Sequence, residues 1–342
     1  MTPAEAAPAA AEAPAAAAAP AAPKMVDVFS DTQIETALLA NPAGYALAEL
    51  GDADPRVLAL TADLSSTVAD FRARHAGRYI ELGIAENNSV SLAAGLAACG
   101  YRPYIFSMAP FGVLKCAEQL RTDVAYNHLP VVLVGRLSGL AMGFFGTSHH
   151  AVEDIAIARS LTNLTVIAPA DPQAVLALMR STIALDGPAF VRVSEGTPAV
   201  YDTVPEFTFG KWPRLRSGTD ISLLGHGLGV GLAVQAAAQL SARGITADVY
   251  DAAYLKPFDE EALAQTAART GRVLTIEDHI EIGGLASIVA EVAGRRRLGA
   301  RLASISLPDA DLEVGVPAQL YELYGLTVSG VVRRALELAA EG

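Results

Sequence analysis

Glu81-Leu-Gly-Ile-Ala-Glu86-Asn-Asn-Ser-Val-Ser-Leu-Ala-Ala-Gly95 places one acid, Glu86, at the head of a segment that otherwise reads as a buried helix of small residues. Ala85, Leu92, Ala93, Leu96 and Ala97 are apolar, and Gly95 would let another backbone approach closely. A carboxylate in such surroundings is costly unless a specific partner meets it. It would also favour the helix dipole from the first turn, so the position alone is compatible with a purely structural acid.

The flanking text decides the fold. Arg56-Val-Leu-Ala-Leu-Thr61 reads as a strand before this helix, placed at 85–98, and residues 102–107 as a strand after it. A helix over 111–126 leads through Pro130 into the strand Val131-Val-Leu-Val-Gly135. Leu164-Thr-Val-Ile-Ala168 then precedes the turn and cap Pro169-Ala-Asp171-Pro172 and a helix to about Leu185, and Pro188-Ala-Phe-Val-Arg-Val193 closes the series. Strand and helix alternating in this way imply an α/β chain with a doubly wound, mostly parallel sheet. Residues 198–217 carry Pro198, Pro205 and Pro213, several aromatics and no periodicity, as a linker or ordered arm would. A second α/β unit follows, with strands at 220–225, 246–250, 272–276 and 301–306 and helices at about 229–243, 259–269, 284–293 and 329–340. The expected organisation is a tail (1–24), a first domain (25–197), a linker (198–217) and a second doubly wound domain (218–342).

Composition narrows the function. Twenty-five basic against thirty-seven acidic residues give a net charge of −12, and no basic stripe appears, so nucleic acid is not an expected partner. Arg295-Arg296-Arg297 reads as the solvated end of a helix. Cys99 and Cys116 are the two cysteines and lack metal-ligand spacing, which suits a reducing, cytoplasmic setting. Residues 2–23 are almost all Ala and Pro without a basic leader, so the expectation there is a disordered tail rather than a secretory signal. No apolar run approaches transmembrane length, so no membrane association is expected.

Three blocks carry a resemblance. They are Glu81-Leu-Gly-Ile-Ala-Glu86-Asn; Gly146-Thr-Ser-His149-His150-Ala-Val-Glu-Asp154; and, further on, Leu224-Gly-His226-Gly227, Asp251-Ala-Ala-Tyr-Leu-Lys256-Pro257-Phe258-Asp259 and Glu277-Asp278-His279-Ile-Glu-Ile-Gly283-Gly284. In this order and spacing the chain resembles the C-terminal half of a transketolase over residues 35 to 340. The resemblance implies a thiamine-diphosphate pyrimidine-binding domain followed by a transketolase C-terminal domain. Complete members also carry an upstream diphosphate-binding domain whose Gly-Asp-Gly motif and downstream Asn hold the metal. This sequence has no Gly-Asp-Gly. The implied enzyme is therefore split: a separate N-terminal transketolase-like subunit would hold Mg²⁺ and the diphosphate, in a heterotetramer of two plus two.

By the same resemblance Glu86 is the carboxyl that shares a proton with the aminopyrimidine nitrogen of thiamine diphosphate and so activates its thiazolium carbon. Phe111 best matches the aromatic that packs on the pyrimidine face, with Phe106 second. Asp63 and Ser66, in Leu60-Thr-Ala-Asp63-Leu-Ser65-Ser66, match a segment at the edge of the cofactor and substrate site. His149 is placed near cofactor and substrate to handle a hydroxyl or ketone proton, and His150 beside it at the substrate. No metal ligand is expected in this chain. His226, Glu277 and His279 are expected to shape a subunit interface rather than perform chemistry.

The sequence also departs from the family. Val193-Ser194-Glu195 has an acid where a phosphate-binding Arg should follow the Ser; Ala40 stands where another Arg is expected; and a family His near Leu137-Ser138-Gly139 is absent. Gly143-Phe144-Phe145-Gly146 replaces the family's acidic loop, and Phe145 cannot accept the hydrogen bond of a donor hydroxyl. Charge-assisted contacts to a phosphate are worth roughly 1.5–3 kcal/mol each, so the expected substrates lie outside the standard pentose phosphates. Two alternatives compete with transfer of a two-carbon ketol unit. One is the β subunit of a 2-oxo-acid dehydrogenase E1; the other is a non-catalytic scaffold subunit.

Overall fold

The computed structural model describes residues 41–340. The Ala/Pro tail, the start of the first domain at residue 25 and the Ala40 position lie outside the described residues.

Six strands of the first half, Val57–Thr61 (β1), Tyr79–Glu81 (β2), Arg102–Met108 (β3), Val132–Arg136 (β4), Thr165–Ile167 (β5) and Ala189–Arg192 (β6), are mutually parallel. Every residue of β1, β4 and β6 is buried, as the continuous apolar runs of a sheet covered on both faces require. The second half contributes Arg214–Arg216 (β7), Ile221–Gly225 (β8), Ala247–Asp251 (β9), Tyr254–Lys256 (β10), Arg272–Ile280 (β11) and Arg301–Leu307 (β12). The sheet orders are β10-β5-β6-β4-β3-β1-β2 and β12-β11-β8-β9-β7. Both are parallel except for one antiparallel edge strand each, β10 and β7.

The second half thus completes the sheet of the first. β10 pairs with β5, and the Lys256 ammonium donates to the carbonyls of Arg159, at 3.0 Å, and Leu161. Part of the Pro-rich connecting segment is itself strand, since Arg214–Arg216 pairs with β9. Asp171 holds its start: Oδ1 caps the helix Pro172–Ser181 through Ala174 N, and Oδ2 accepts from Val200 N and Tyr201 N. Where a helix over 111–126 was expected, the chain makes π-helical turns at Phe111–Lys115 and Leu120–Ala125 around a short α-helical piece, Ala117–Gln119.

His226, Glu277 and His279 are buried where the two halves of this one chain meet, rather than at a surface. Glu277 accepts from the backbone N–H of Leu285 and Ala286, at 2.6 and 2.8 Å, which belong to the head of the helix Leu285–Arg296. His279 Nε2 accepts from Ala156 N of the first half. Burial pushes the Glu277 carboxyl up to about 7 and the two imidazoles down to about 4. Beside them Arg192, at the end of β6, bonds Asp154 at 2.9 Å and Asp278 at 2.7 Å, all three with fully buried side chains. A pinned guanidinium between two carboxylates locks the halves in one register.

Candidate active site

The loops that matter leave the C-terminal ends of β1, β2, β3 and β4, where ligands of open α/β sheets bind. Glu86 opens the helix Glu86–Ala98 and is 4% exposed. Its carboxylate finds its partner on the neighbouring helical segment: Lys115 Nζ, at the end of the first π-helical turn, lies 2.6 Å from Glu86 Oε2. Asn87 Nδ2 donates to the Lys115 carbonyl and to Gln119 Oε1, both at 2.8 Å, so the helix head and the π-helical segment are stapled together. π-Helical turns inside helices recur at functional sites because they re-aim side chains.

Phe111 starts that same turn and stands half-buried. Its ring meets His149 edge-on with centroids 5.2 Å apart, and Phe145 covers His149 from another side at 4.7 Å. The positive φ of Gly146 (76°) turns the chain between Phe145 and the histidines. Partial burial, with His150 next to it, holds the His149 imidazole below its ordinary value, so it is neutral at pH 7. Ser148 Oγ lies 2.9 Å from Nδ1, whereas Nε2 has no hydrogen-bond partner among the described residues. His150 is buried, with Nε2 3.4 Å from the Gly143 carbonyl.

Asp63 and Ser66 are exposed beyond the end of β1. Glu81 organises that edge. Its Oε1 accepts from Asp63 N (3.0 Å) and Gly83 N (2.8 Å), and its Oε2 accepts from Thr61 Oγ1 (2.6 Å) and Tyr79 OH (2.7 Å). Partial burial would raise the Glu81 carboxyl, but these four bonds outweigh it and hold it at about 2. Phe106 is wholly buried in β3 and part of the sheet core, apart from the Phe111–His149–Phe145 cluster.

The structure therefore gathers Phe111, His149 and Phe145, sets Glu86 one π-helical turn from Phe111, and places Asp63 and Ser66 on a separate rim. Reading residues one at a time passed over Lys115 and Arg136. Arg136, 1% exposed at the end of β4, donates through Nε and Nη2 to Glu195 Oε1 and through Nη1 to Asn41 Oδ1. The acid at position 195 is thus neutralised from within the chain. No sequence spacing announces either pair, whose members lie 29 and 59 residues apart.

Residues 39–198 match the transketolase pyrimidine-binding domain and residues 210–331 the transketolase C-terminal domain. The chain is 38% identical over 301 residues to the 6-deoxy-6-sulfo-D-fructose transketolase subunit SqwH of Clostridium sp. (strain MSTE9), covering 85% of this chain and 91% of that one. It is 34% identical over 295 residues to an apulose-4-phosphate transketolase subunit of Phocaeicola vulgatus, covering 85% and 94%. Against the 1-deoxy-D-xylulose-5-phosphate synthase of Desulforudis audaxviator it is 37% identical and spans 47% of that protein. Among solved structures, a split gene transketolase described as an inactive beta4 tetramer superposes with a TM-score of 0.79 at 34% identity, over 87% of this chain and 96% of that one.

Proposed function

Because the chain belongs to the transketolase family, we propose that it is the C-terminal subunit of a split, thiamine-diphosphate-dependent enzyme that moves a two-carbon ketol unit from a ketose or 2-oxo donor to an aldehyde or ketone acceptor. The observation that carries this reading is the buried Glu86 carboxyl, held by Lys115 at the end of the π-helical turn that Phe111 begins, together with a His149 packed against both Phe111 and Phe145. The coverage supports a split enzyme, since the chain spans 91% and 94% of two relatives named as subunits and 47% of a longer synthase.

The described residues fit one end of the cofactor. A pyrimidine ring needs a carboxyl that can share a proton with its nitrogen and an apolar surface for its face, and Glu86 and Phe111 are such groups. The other end needs a metal site, and among the described residues no group of three or more His, Cys, Asp or Glu gathers to form one. We assign Mg²⁺ and the diphosphate to a partner subunit, as the family resemblance implies, in a heterotetramer of two plus two. When bound, thiamine diphosphate supplies a nucleophilic thiazolium carbon. Glu86 then holds a proton at the ring nitrogen, Phe111 excludes water from the ring face, and His149 Nε2 takes or returns the proton of the substrate hydroxyl. His150, Asp63 and Ser66 are assigned to the surrounding substrate and cofactor rim.

The proposed substrates lie outside the standard pentose phosphates. In support, the Arg136 guanidinium beside position 195 is already paired, and Phe145, 45% exposed, stands where an acid would greet a donor hydroxyl. Two of the relatives are named for a sulfonated sugar and a branched-sugar phosphate. A cytoplasmic location is the setting that suits such metabolism. No helix among the described residues is long and apolar enough to cross a membrane.

The test is Glu86→Gln in the reconstituted pair. Loss of turnover by two or more orders of magnitude, with fold and assembly intact, is the expected result; an unaltered rate would make the chain a scaffold. Calorimetry with thiamine diphosphate and Mg²⁺ should show tight binding by the pair and not by this chain alone. Turnover of xylulose 5-phosphate at the rate of a housekeeping transketolase would remove the substrate proposal.

A further inference from the structure

The proposed role of Glu86 requires one carboxylate oxygen to be presented at a fixed place, yet a glutamate side chain has three rotatable bonds. Something must hold it. Among the described residues, the hydrogen-bond partner of the Glu86 carboxylate is Lys115, on Oε2 at 2.6 Å; Oε1 has none. The two side chains differ sharply in exposure, 5% for Glu86 and 47% for Lys115, so the buried carboxylate is met by a cation from the protein surface. The backbone that carries it is fixed in turn, because Asn87 Nδ2 holds the Lys115 carbonyl. The π-helical turn Phe111–Lys115 sets the proposed ring-face aromatic and this ammonium at the two ends of one element.

We infer that Lys115 is a positioning residue for Glu86: it anchors Oε2 and leaves Oε1 as the oxygen offered to the pyrimidine nitrogen of the cofactor. The inference rests on the proposed function. One consequence follows from the geometry: a swing of the exposed lysine would let Glu86 leave its rotamer, so binding of the pyrimidine depends on a contact made wholly inside this chain. Glu86 raises the Lys115 ammonium above its ordinary range, as a close carboxylate must.

The experiment has one arm on the full chain alone and one on the assembled pair. In the first, ¹³C-dimethylated lysines are followed by NMR through a pH titration. The chain has four lysines, Lys24, Lys115, Lys211 and Lys256, and the Lys115 resonance is assigned by its loss in Lys115→Arg. Its midpoint should lie above that of free lysine and return to the ordinary value in Glu86→Gln; a midpoint indifferent to Glu86→Gln overturns the inference. In the second arm, calorimetry of the pair with thiamine diphosphate and Mg²⁺ should show Lys115→Met weakening binding by roughly tenfold and shifting the pH profile of kcat, with both restored in Lys115→Arg. Wild-type affinity and pH profile in Lys115→Met overturn it. If Glu86→Gln is inactive while Lys115→Met behaves as wild type, only this inference fails. If Glu86→Gln itself is fully active, the functional reading fails with it.

Discussion

Glu195 Oε1 accepts two hydrogen bonds from Arg136, from Nε at 2.8 Å and from Nη2 at 2.6 Å, and both side chains are almost wholly out of solvent. The pair ties the end of β6 to the end of β4, and Arg136 Nη1 extends it to Asn41, whose Oδ1 also caps the helix Pro42–Ala53. Position 195 is therefore half of a closed ion pair.

That closure has a stability cost when half is removed. Glu195→Leu leaves a buried guanidinium without a counter-charge and should destabilise the chain by about 3–5 kcal/mol in urea titration. Glu195→Gln keeps an acceptor oxygen and should lose less. The double variant Arg136→Met/Glu195→Leu should recover much of the loss. A near-zero effect of Glu195→Leu would show that the pair is not closed in solution.

His149 is held neutral by burial under Phe145 and beside Phe111. His149→Asn in the assembled pair should lower kcat by roughly 10²–10⁴-fold, the usual worth of a positioned acid–base group. Because the imidazole sits below its ordinary value, the acid limb of the rate profile should lie below that of a free histidine. Phe145→Ala rehydrates the ring and should move that limb upward in pH. A limb that ignores Phe145→Ala would assign the titration to another group.

The carboxyl of Glu81 falls from 4.5 to about 2 on folding. A depressed carboxyl contributes stability that is fully present above pH 4.5 and is lost as pH falls through about 2, since the unfolded chain then binds the proton first. Glu81 is largely solvent-facing, so the effect is modest. The stability difference between wild type and Glu81→Gln, read from urea midpoints, should shrink steadily between pH 4.5 and pH 2. A constant difference would mean that the four hydrogen bonds act without regard to charge.

Arg192 joins Asp154 of the first half to Asp278 of the second with all three side chains buried. Arg192→Met leaves two carboxylates unpaired and should cost about 3–5 kcal/mol. Arg192→Lys keeps the charge but loses the planar fork that serves two acids and two carbonyls at once, so most of the loss should remain. Chemical denaturation measures both; equal stability of Arg192→Lys and wild type would leave the fork without a role.

Much of the fold was legible in the chain. The strands β1, β3, β4, β6 and β8 lie within a residue of their expected limits because parallel strands covered on both faces must be continuous apolar runs. Asp171-Pro172 announced a helix start, and Asp171 caps it. Glu86 stood out because an acid was written into the head of a small-residue helix, and there it sits. The strands β2, β7 and β10 were not legible: each is three residues long, β2 and β7 have no fully buried residue, and all three lie at a sheet edge. The π-helical turns were read simply as helix, since residue type and apolar content do not say whether a turn closes one residue later than in an α-helix.

Sequence by itself determined the α/β alternation, the family and the side chains that could do chemistry, because burial periodicity and residue type are local properties of the text. Tertiary structure alone decided which charges those side chains meet. Lys115 reaches Glu86 across 29 residues, Arg136 closes on Glu195 across 59, and Arg192 finds Asp278 across 86. Coulomb energy depends on distance in space and on the water excluded between charges, and neither is written along the chain.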